Sequence, residues 1–573
     1  MEVMESLRYQ PHAGLIAAGR GTRVALSELA DGTAVLTASE DLGRPVVRIE
    51  VDLADAVGHW VPGGRGARTL PPDWAPTAPT SLVQSAPFGA LYNAAGRVLL
   101  GWAAAEPVVE LSVRSGVSEE GKSFVVELAP TLPLDHDLVL LIDDRGGKLA
   151  EVVAGLAGWV SSHCAGLVLK PPAFTMEPVY STWYTFSQDI NNDRVSSEAE
   201  LAMTLGFGSV FIDDGWQRLA HGRGYQGCGD WQPDQDKFPD LAETVSALHS
   251  YGLKAGLWIA PLLVGAESQS FAVLAECAPL RQDLLNCWVL DPRLNHVRTH
   301  VAETCLRLVS EYAVDLLKID FLEQAMVYRD HAGNGDVSDV GTAMAIMLEG
   351  VRRRLDEAGH PEVAIEFRQP YVSPALARYG HILRANDCPG DNTMNRASTI
   401  DSRLSSVGQV VHSDPIMWGA SAGAEAIAQQ LYAVWFSVPQ VSIRLKDLSV
   451  EQRDALTGLL ALWRETSAVS LHGELEVDGA ERNYHLVKAS TRGRTVIARY
   501  APCVVELGPG STGETTILNA TPDTRLTLRM AHEQHGVLRS ASGQVVSELA
   551  TVGPGLVDLP VPAFGSVTLL LNG

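Results

Sequence analysis

Carboxylates end four of the apolar runs in this sequence. One run closes on Asp213-Asp214-Gly215-Trp216, a second on Lys318-Ile319-Asp320, a third on Glu366-Phe367-Arg368-Gln369 and a fourth on Arg384-Ala385-Asn386-Asp387. If these runs are neighbouring strands, five carboxylates converge on one rim, which is costly unless a ligand, a cation or basic neighbours make use of them. Lys318 and Asp320 are two apart, so on a strand they share a face, and the ammonium is expected to hold Asp320 ionised, as a nucleophile must be. Asp387 has few cations near it beyond Arg384, and partial burial is expected to raise its pKa until it carries a proton at neutral pH. Two carboxyls pushed apart in this way can cleave a glycosidic bond, one as nucleophile and one as acid/base. Each acid alone also reads as a rim salt bridge or a turn residue. The set is what points to chemistry.

The elements that must position these residues are legible as a change of texture along the chain. Short β-rich runs punctuated by Gly, Pro and Asp fill Gly14 to Leu167, which predicts an antiparallel sandwich. From Val179 to Arg444 the pattern is strand, loop, helix, repeated, with apolar runs starting at Val179, Ser209, Lys254, Leu316, Val363, Ile382, Gln409 and Gln440. Eight such units in about 270 residues is the size of one (β/α)8 barrel, whose chemistry sits on the loops after its strands. Helices are predicted over Asn295 to Glu311 and Ser338 to Glu357, while Cys287 to Asp291 is placed in a loop. After a helical segment, Ser449 to Glu465, β texture returns. The fold expected is therefore multidomain, α/β plus all-β: an N-terminal β-sandwich over 1–168, a barrel over 169–466 and a small C-terminal antiparallel β-domain over 467–573.

Composition narrows the function classes. Of 573 residues, 46% are apolar and 20% charged, as in a globular protein with a large core, and the net charge of −24 disfavours nucleic acid and anionic membranes as partners. The seven cysteines are scattered without a CxxC pair, no run approaches the ~18 apolar residues of a membrane span, and the N-terminus lacks a signal-peptide pattern. A cytoplasmic protein acting on a small substrate is expected. His532 and His535 are three apart rather than four, His412 and Asp414 lack a ligand cluster, and Gly508 to Gly513 has no Gly-Lys-Thr, so neither a metal nor a phosphate loop is expected. No cofactor is required. A homo-oligomer is left open.

Several segments resemble glycoside hydrolase clan D, family 36 α-galactosidases (the melibiases) more than family 27. Gly206 to Gln217 is similar to the family's Asp-Asp-Gly-Trp segment, Gly229-Asp-Trp231 through Lys237-Phe-Pro239 to its continuation, and Gly252 to Trp258 to its third strand. Leu317-Lys318-Ile319-Asp320 resembles the nucleophile segment, and Asn386-Asp387 through Asp391 to Arg396 the acid/base segment. The resemblance runs over the whole barrel in the family's order.

It implies a retaining, exo-acting α-glycosidase working by double displacement on a small oligosaccharide or glycoside, with α-galactosides the expected substrates. Asp320 would be the nucleophile and Asp387 the acid/base. Asp213 and Asp214 would accept from sugar hydroxyls, and Lys318 would contact the ring. Trp258 and Trp183 would wall the sugar, and Arg396 would hold the acid/base or a hydroxyl; Arg368 and Gln369, outside the family's pattern, are further substrate-binding candidates. The sequence departs from the family where small residues usually follow the fifth strand: here stand Glu366-Phe367-Arg368-Gln369-Pro370-Tyr371. Arg368 and Tyr371 are expected to reshape the pocket at the sugar's 2-substituent, and an arginine there also suits an anionic glycone. The alternatives are a transglycosylase on the same scaffold, told apart by its yield of transfer product, and a non-catalytic sugar-binding barrel, which would lack one of the two acids.

Overall fold

A computed structural model of the chain describes residues 5–9, 14–63, 66–508 and 513–571. Most of the glycine-rich stretch from Gly508 lies outside these described residues, as does the start of the N-terminal segment read above for a leader.

The eight apolar runs form one parallel barrel. Its strands are β1 (Val179–Ser181), β2 (Ser209–Ile212), β3 (Lys254–Ile259), β4 (Leu316–Ile319), β5 (Ala364–Arg368), β6 (Ile382–Arg384), β7 (Val410–His412) and β8 (Gln440–Val441). From β1 to β7 each pairs with its sequence neighbour, and β8 returns to β1. Val438 closes the ring, donating to the Val411 carbonyl at 2.9 Å and accepting from Ser413 at 3.0 Å. Buried on both faces, parallel strands need apolar side chains throughout, which is why these runs stand out in the sequence. A helix follows every strand but β5, where Pro374–Arg378 makes a single 3-10 turn. Five of the barrel helices start on side-chain caps: Asn191, Asp240, Asp339, Asp391 and Ser449 each accept from a backbone N–H of the first turn.

Ahead of the barrel lie two six-stranded sheets, one from Glu5–Tyr9 to Ser123–Pro130 and one from Arg23–Glu28 to Leu138–Asp143. Between them Ile16, Leu36, Ile49, Trp102, Phe124 and Leu140 form a sandwich core. A helix, Leu149–Ser162, then lies against the second sheet, where the sequence reading expected only β texture. The stretch after β3 also differs from expectation: Leu263–Val264, Leu280–Gln282 and Cys287–Val289 pair as a small antiparallel sheet. The helix Val450–His472 is continuous through residue 466, and the C-terminal β-strands begin with Glu474–Asp478. The C-terminal domain is a seven-stranded sheet backed by three strands, Val505–Leu507, Leu526–Met530 and Gly555–Leu559.

One buried cluster joins all three parts. Asp401 of the barrel accepts from the Trp60 indole at 2.9 Å, from Arg68 at 2.7 Å and from the Tyr484 hydroxyl. Trp60 and Arg68 belong to the N-terminal domain and Tyr484 to the C-terminal one. Asp401→Ala would strand Arg68, which is 5% exposed, without a counter-ion. Equilibrium unfolding should show a loss of roughly 3–5 kcal/mol, and a loss well under 1 kcal/mol would deny the cluster this role.

Candidate active site

Each predicted acid stands where its strand ends, at the C-terminal mouth. Asp213 and Asp214 follow β2, Asp320 follows β4 and Asp387 follows β6. The Asp-Asp-Gly-Trp turn has a steric origin. Gly215 has φ +122°, and a Cβ there would sit 2.6 Å from the Gln188 backbone, so only glycine fits. Trp216, fully buried, donates to the Trp258 carbonyl at 2.9 Å and ties this turn to β3. Lys237 donates to the carbonyls of Gln188, Gly215 and Ala220 at 2.9, 3.0 and 2.6 Å, so the Lys-Phe-Pro segment serves to fix the loops.

Asp320 is held from three sides. Its Oδ1 accepts from the Phe321 backbone N–H at 2.7 Å and from Arg368 Nε; its Oδ2 accepts from the Trp258 indole at 3.0 Å. Phe321 has φ +57°, a conformation side chains rarely adopt, so the turn after β4 is locally strained where it fixes this carboxylate. Burial opposes the charge on Asp320, but Arg368 first and Lys318 second more than offset it, and the carboxyl lies below its ordinary range. Lys318 favours the ionised form of Asp320, as expected, without pairing with it directly. Its Nζ reaches Asp213 Oδ2 at 2.6 Å, because the curvature of the closed barrel brings the ends of β2 and β4 together across the lumen.

Arg368 also departs from expectation. Besides Asp320 it donates to Glu323 Oε1 at 2.9 Å and to the Gln369 carbonyl at 2.7 Å, and the ring of Phe321 lies 5.3 Å from its guanidinium carbon. Two carboxylates thus neutralise it, which leaves no uncompensated positive charge for an anionic sugar. Tyr371 is fully buried and donates to the Ile319 carbonyl at 3.1 Å, under the site and not in it. Gln369 likewise faces inward, donating to Ser402 at 3.1 Å and accepting from the Asn386 N–H at 3.2 Å.

For Asp387 the expected direction is reversed. Burial acts to raise its pKa, but Arg384, 2.6 Å away, outweighs it together with Arg368 and Lys318, and the carboxyl falls well below its ordinary value. The Asp387 side chain is 51% exposed, so solvent screens part of this attraction. The groups that do hold protons near neutral pH lie deeper. Asp214 is pushed up to about 6 by burial, against bonds from Gln217 at 2.7 Å and Gln188 at 2.8 Å. Asp414, behind Asp387 at the end of β7, is pushed up to about 7 by burial; it pairs with Arg384 and accepts from Tyr184 at 2.9 Å and the Cys388 N–H at 2.8 Å.

The folded chain therefore keeps protons on Asp214 and Asp414 that an unfolded chain would release. Their contribution to stability is complete below the ordinary carboxylate range and is lost as pH rises through about 6 and about 7 respectively. Tm should fall between about pH 5 and about pH 8, and fall less steeply in Asp214→Asn. An unchanged slope in that variant would contradict the assignment.

Arg396 does not reach the mouth. It donates to the Asn483 carbonyl at 2.8 Å and lies 4.3 Å from the Tyr500 ring centroid, tying the barrel to the C-terminal domain. Trp183 starts a short helix after β1, with Arg223 6.0 Å from its ring centroid. Sequence reasoning missed Glu323 and Gln188, which carry no motif and become partners only through the fold. Among the described residues no group of three or more His, Cys, Asp or Glu is set to hold a metal, and no helix is long and apolar enough to cross a membrane.

An eight-stranded barrel lies between two β-domains, with acids from four strands at its mouth, which makes the chain a carboxylate-bearing (β/α)8 barrel protein. Residues 168–367 match the Melibiase family model. Alpha-galactosidase 2 of Pediococcus pentosaceus is 30% identical over 164 residues, 28% of this chain and 23% of that protein. The alpha-galactosidase of Escherichia coli is 25% identical over 194 residues, 33% of this chain and 27% of that protein. The matched stretch thus spans about a quarter of the length of these curated relatives. In fold the likeness covers nearly everything. The GH36 alpha-galactosidase AgaA of Geobacillus stearothermophilus superimposes with a TM-score of 0.63 at 14% identity, over 99% of this chain and 84% of that one. The Lactobacillus brevis alpha-galactosidase gives 0.62 at 13%, over 100% and 84%. The sequence likeness to the melibiases thus lies within residues 168–367, and the fold of the chain is that of the family 36 alpha-galactosidases it superimposes on.

Proposed function

We propose that this protein is a retaining exo-α-glycosidase that hydrolyses terminal α-galactosides of small oligosaccharides or glycosides. The observation that carries the reading is the pair Asp320 and Asp387, rising from β4 and β6 to one mouth, where Asp320 feels the charge of Asp387 and Asp387 those of Arg368 and Lys318. The names of the relatives and the 1-deoxygalactonojirimycin bound to AgaA support galactose as the glycone.

In this reading Asp320 attacks through Oδ2, the oxygen with only one donor, while Oδ1 is fixed by Phe321 and Arg368. Oδ2 bonds to the anomeric carbon as the bond to the leaving oxygen breaks, and Asp387 delivers a proton to that oxygen. Water then attacks the same carbon, Asp387 takes its proton, and Asp320 departs with the electron pair. Asp213, Asp214 and Lys318 would meet the sugar hydroxyls with the hydrogen-bonding capacity left over from their mutual bonds. Trp258 and Trp183 would flank the sugar's faces.

The test is a screen of nitrophenyl α-glycosides, with NMR of the first anomer released. Cleavage of the α-galactoside with α-galactose appearing first is expected. β-Galactose first, or no cleavage of any α-glycoside, would overturn the reading.

A further inference from the structure

Arg368 does more than fix Oδ1 of Asp320, because its charge faces a reacting group. It is 8% exposed, Asp320 is 7% exposed, and the guanidinium bridges Asp320 to Glu323. Glu323 keeps its second oxygen, Oε2, buried without a hydrogen-bond partner, so its main engagement is with Arg368. Phe321 and Tyr371 flank the guanidinium, at 5.3 and 6.0 Å between ring centroid and guanidinium carbon, and restrict its movement.

We propose that Arg368 decides which half-reaction limits turnover: it makes Asp320 a reluctant nucleophile and a good leaving group, so the glycosyl-enzyme does not accumulate. The inference rests on the double displacement proposed above. When the ester forms, Asp320 Oδ2 gains the bond to the anomeric carbon, the leaving oxygen departs with its electron pair and the proton from Asp387, and the charge that Arg368 faced on Asp320 disappears. A cation that stabilises the free carboxylate therefore slows this step. In the second step the carbon–Oδ2 bond breaks, the electron pair returns to Asp320, and water supplies the oxygen now bonded to that carbon and a proton for Asp387. The same cation speeds that departure. Glu323 keeps the site near neutrality in between, because Arg368 retains one carboxylate partner while Asp320 is esterified. Removing Glu323 would leave Arg368 without a counter-ion in the ester, so ester formation would be slower still.

The experiment is stopped-flow release of dinitrophenol from its α-galactoside, with the intact protein followed by mass spectrometry. The wild-type chain should show no burst, and its kcat should vary with the leaving group. Arg368→Gln should slow the second step about tenfold or more, giving a burst near one equivalent, a trapped hexosyl adduct and a kcat that methanol accelerates. Arg368→Lys, which restores the charge without the fork, should reduce the burst again. Glu323→Gln should show no burst and a lower kcat/KM on every leaving group. A burst in the wild-type chain overturns the proposal even if Arg368→Gln does not fold. So does a folded Arg368→Gln that turns over without a burst. A wild-type chain that cleaves no α-glycoside overturns the parent reading instead, so the two failures are distinguishable.

Discussion

Asp320→Asn should lower kcat on α-galactosides by about four orders of magnitude or more, with the fold retained. The amide is nearly isosteric, and its oxygen can still accept from Arg368 and the Phe321 N–H. Arg368 keeps Glu323 as a counter-ion, so no buried charge is stranded. The amide nitrogen would instead face the Trp258 indole N–H, donor against donor, which costs stability on the order of 1–3 kcal/mol without unfolding a domain of this size. Chemistry is lost because an amide cannot form the glycosyl ester. Asp320→Gly with azide separates that cause from simple damage. Azide in the vacated space should attack the anomeric carbon once and give the β-galactosyl azide, inverted relative to the substrate. Activity above a tenth of wild type in Asp320→Asn, measured with the nitrophenyl glycoside, would remove Asp320 from the mechanism.

The barrel was legible because its strands obey a one-dimensional rule. A parallel strand buried on both faces is an unbroken apolar run, and β2, β3 and β4 read that way directly. The helix Leu149–Ser162 was not read, although Leu149, Val152, Val153, Leu156 and Val160 are all buried on one helical stripe. Its valines and its two glycines, Gly155 and Gly158, let it pass within the β-rich texture of the sandwich. The small sheet after β3 has strands of only two or three residues, too short for any periodicity to register.

In the candidate site the acids were legible and their partners were not. Strand ends can be found by eye; cross-lumen neighbours cannot. Lys318 and Asp320 do share a face, as their spacing requires, but the closed barrel gives Lys318 a nearer carboxylate on β2. For Asp387 the error was one of magnitude: a fully buried arginine three residues away, pointed at the carboxylate, outweighs burial together with Arg368 and Lys318 from neighbouring strands. Arg396 could have been excluded from helix geometry. Asn395, one residue earlier, donates to the Asp414 carbonyl at 2.9 Å, and a step of about 100° along the helix turns Arg396 away toward Tyr500.

The Asp387 result sets the second large effect. An acid/base held below the ordinary carboxylate range stands ready in the form that takes a proton from water, as a weak base, and is poorly suited to deliver one at neutral pH. Its protonated fraction falls tenfold for each pH unit above its pKa, so cleavage of substrates that need protonation should weaken steadily as pH rises. Nitrophenolate leaves without help, and its glycoside should be far less sensitive over the same range. The ratio of kcat/KM for the nitrophenyl glycoside to that for raffinose should therefore climb with pH. Asp387→Asn should remove most of this dependence, costing about three orders of magnitude on raffinose and much less in the bond-breaking step of the nitrophenyl glycoside. Azide should speed the variant's second step, since an anion needs no base, and it should yield the α-galactosyl azide, retained where the Asp320→Gly product is inverted. Equal losses on both substrates, or an inverted azide product from the Asp387 variant, would mean that the two acids do not divide the work in this way.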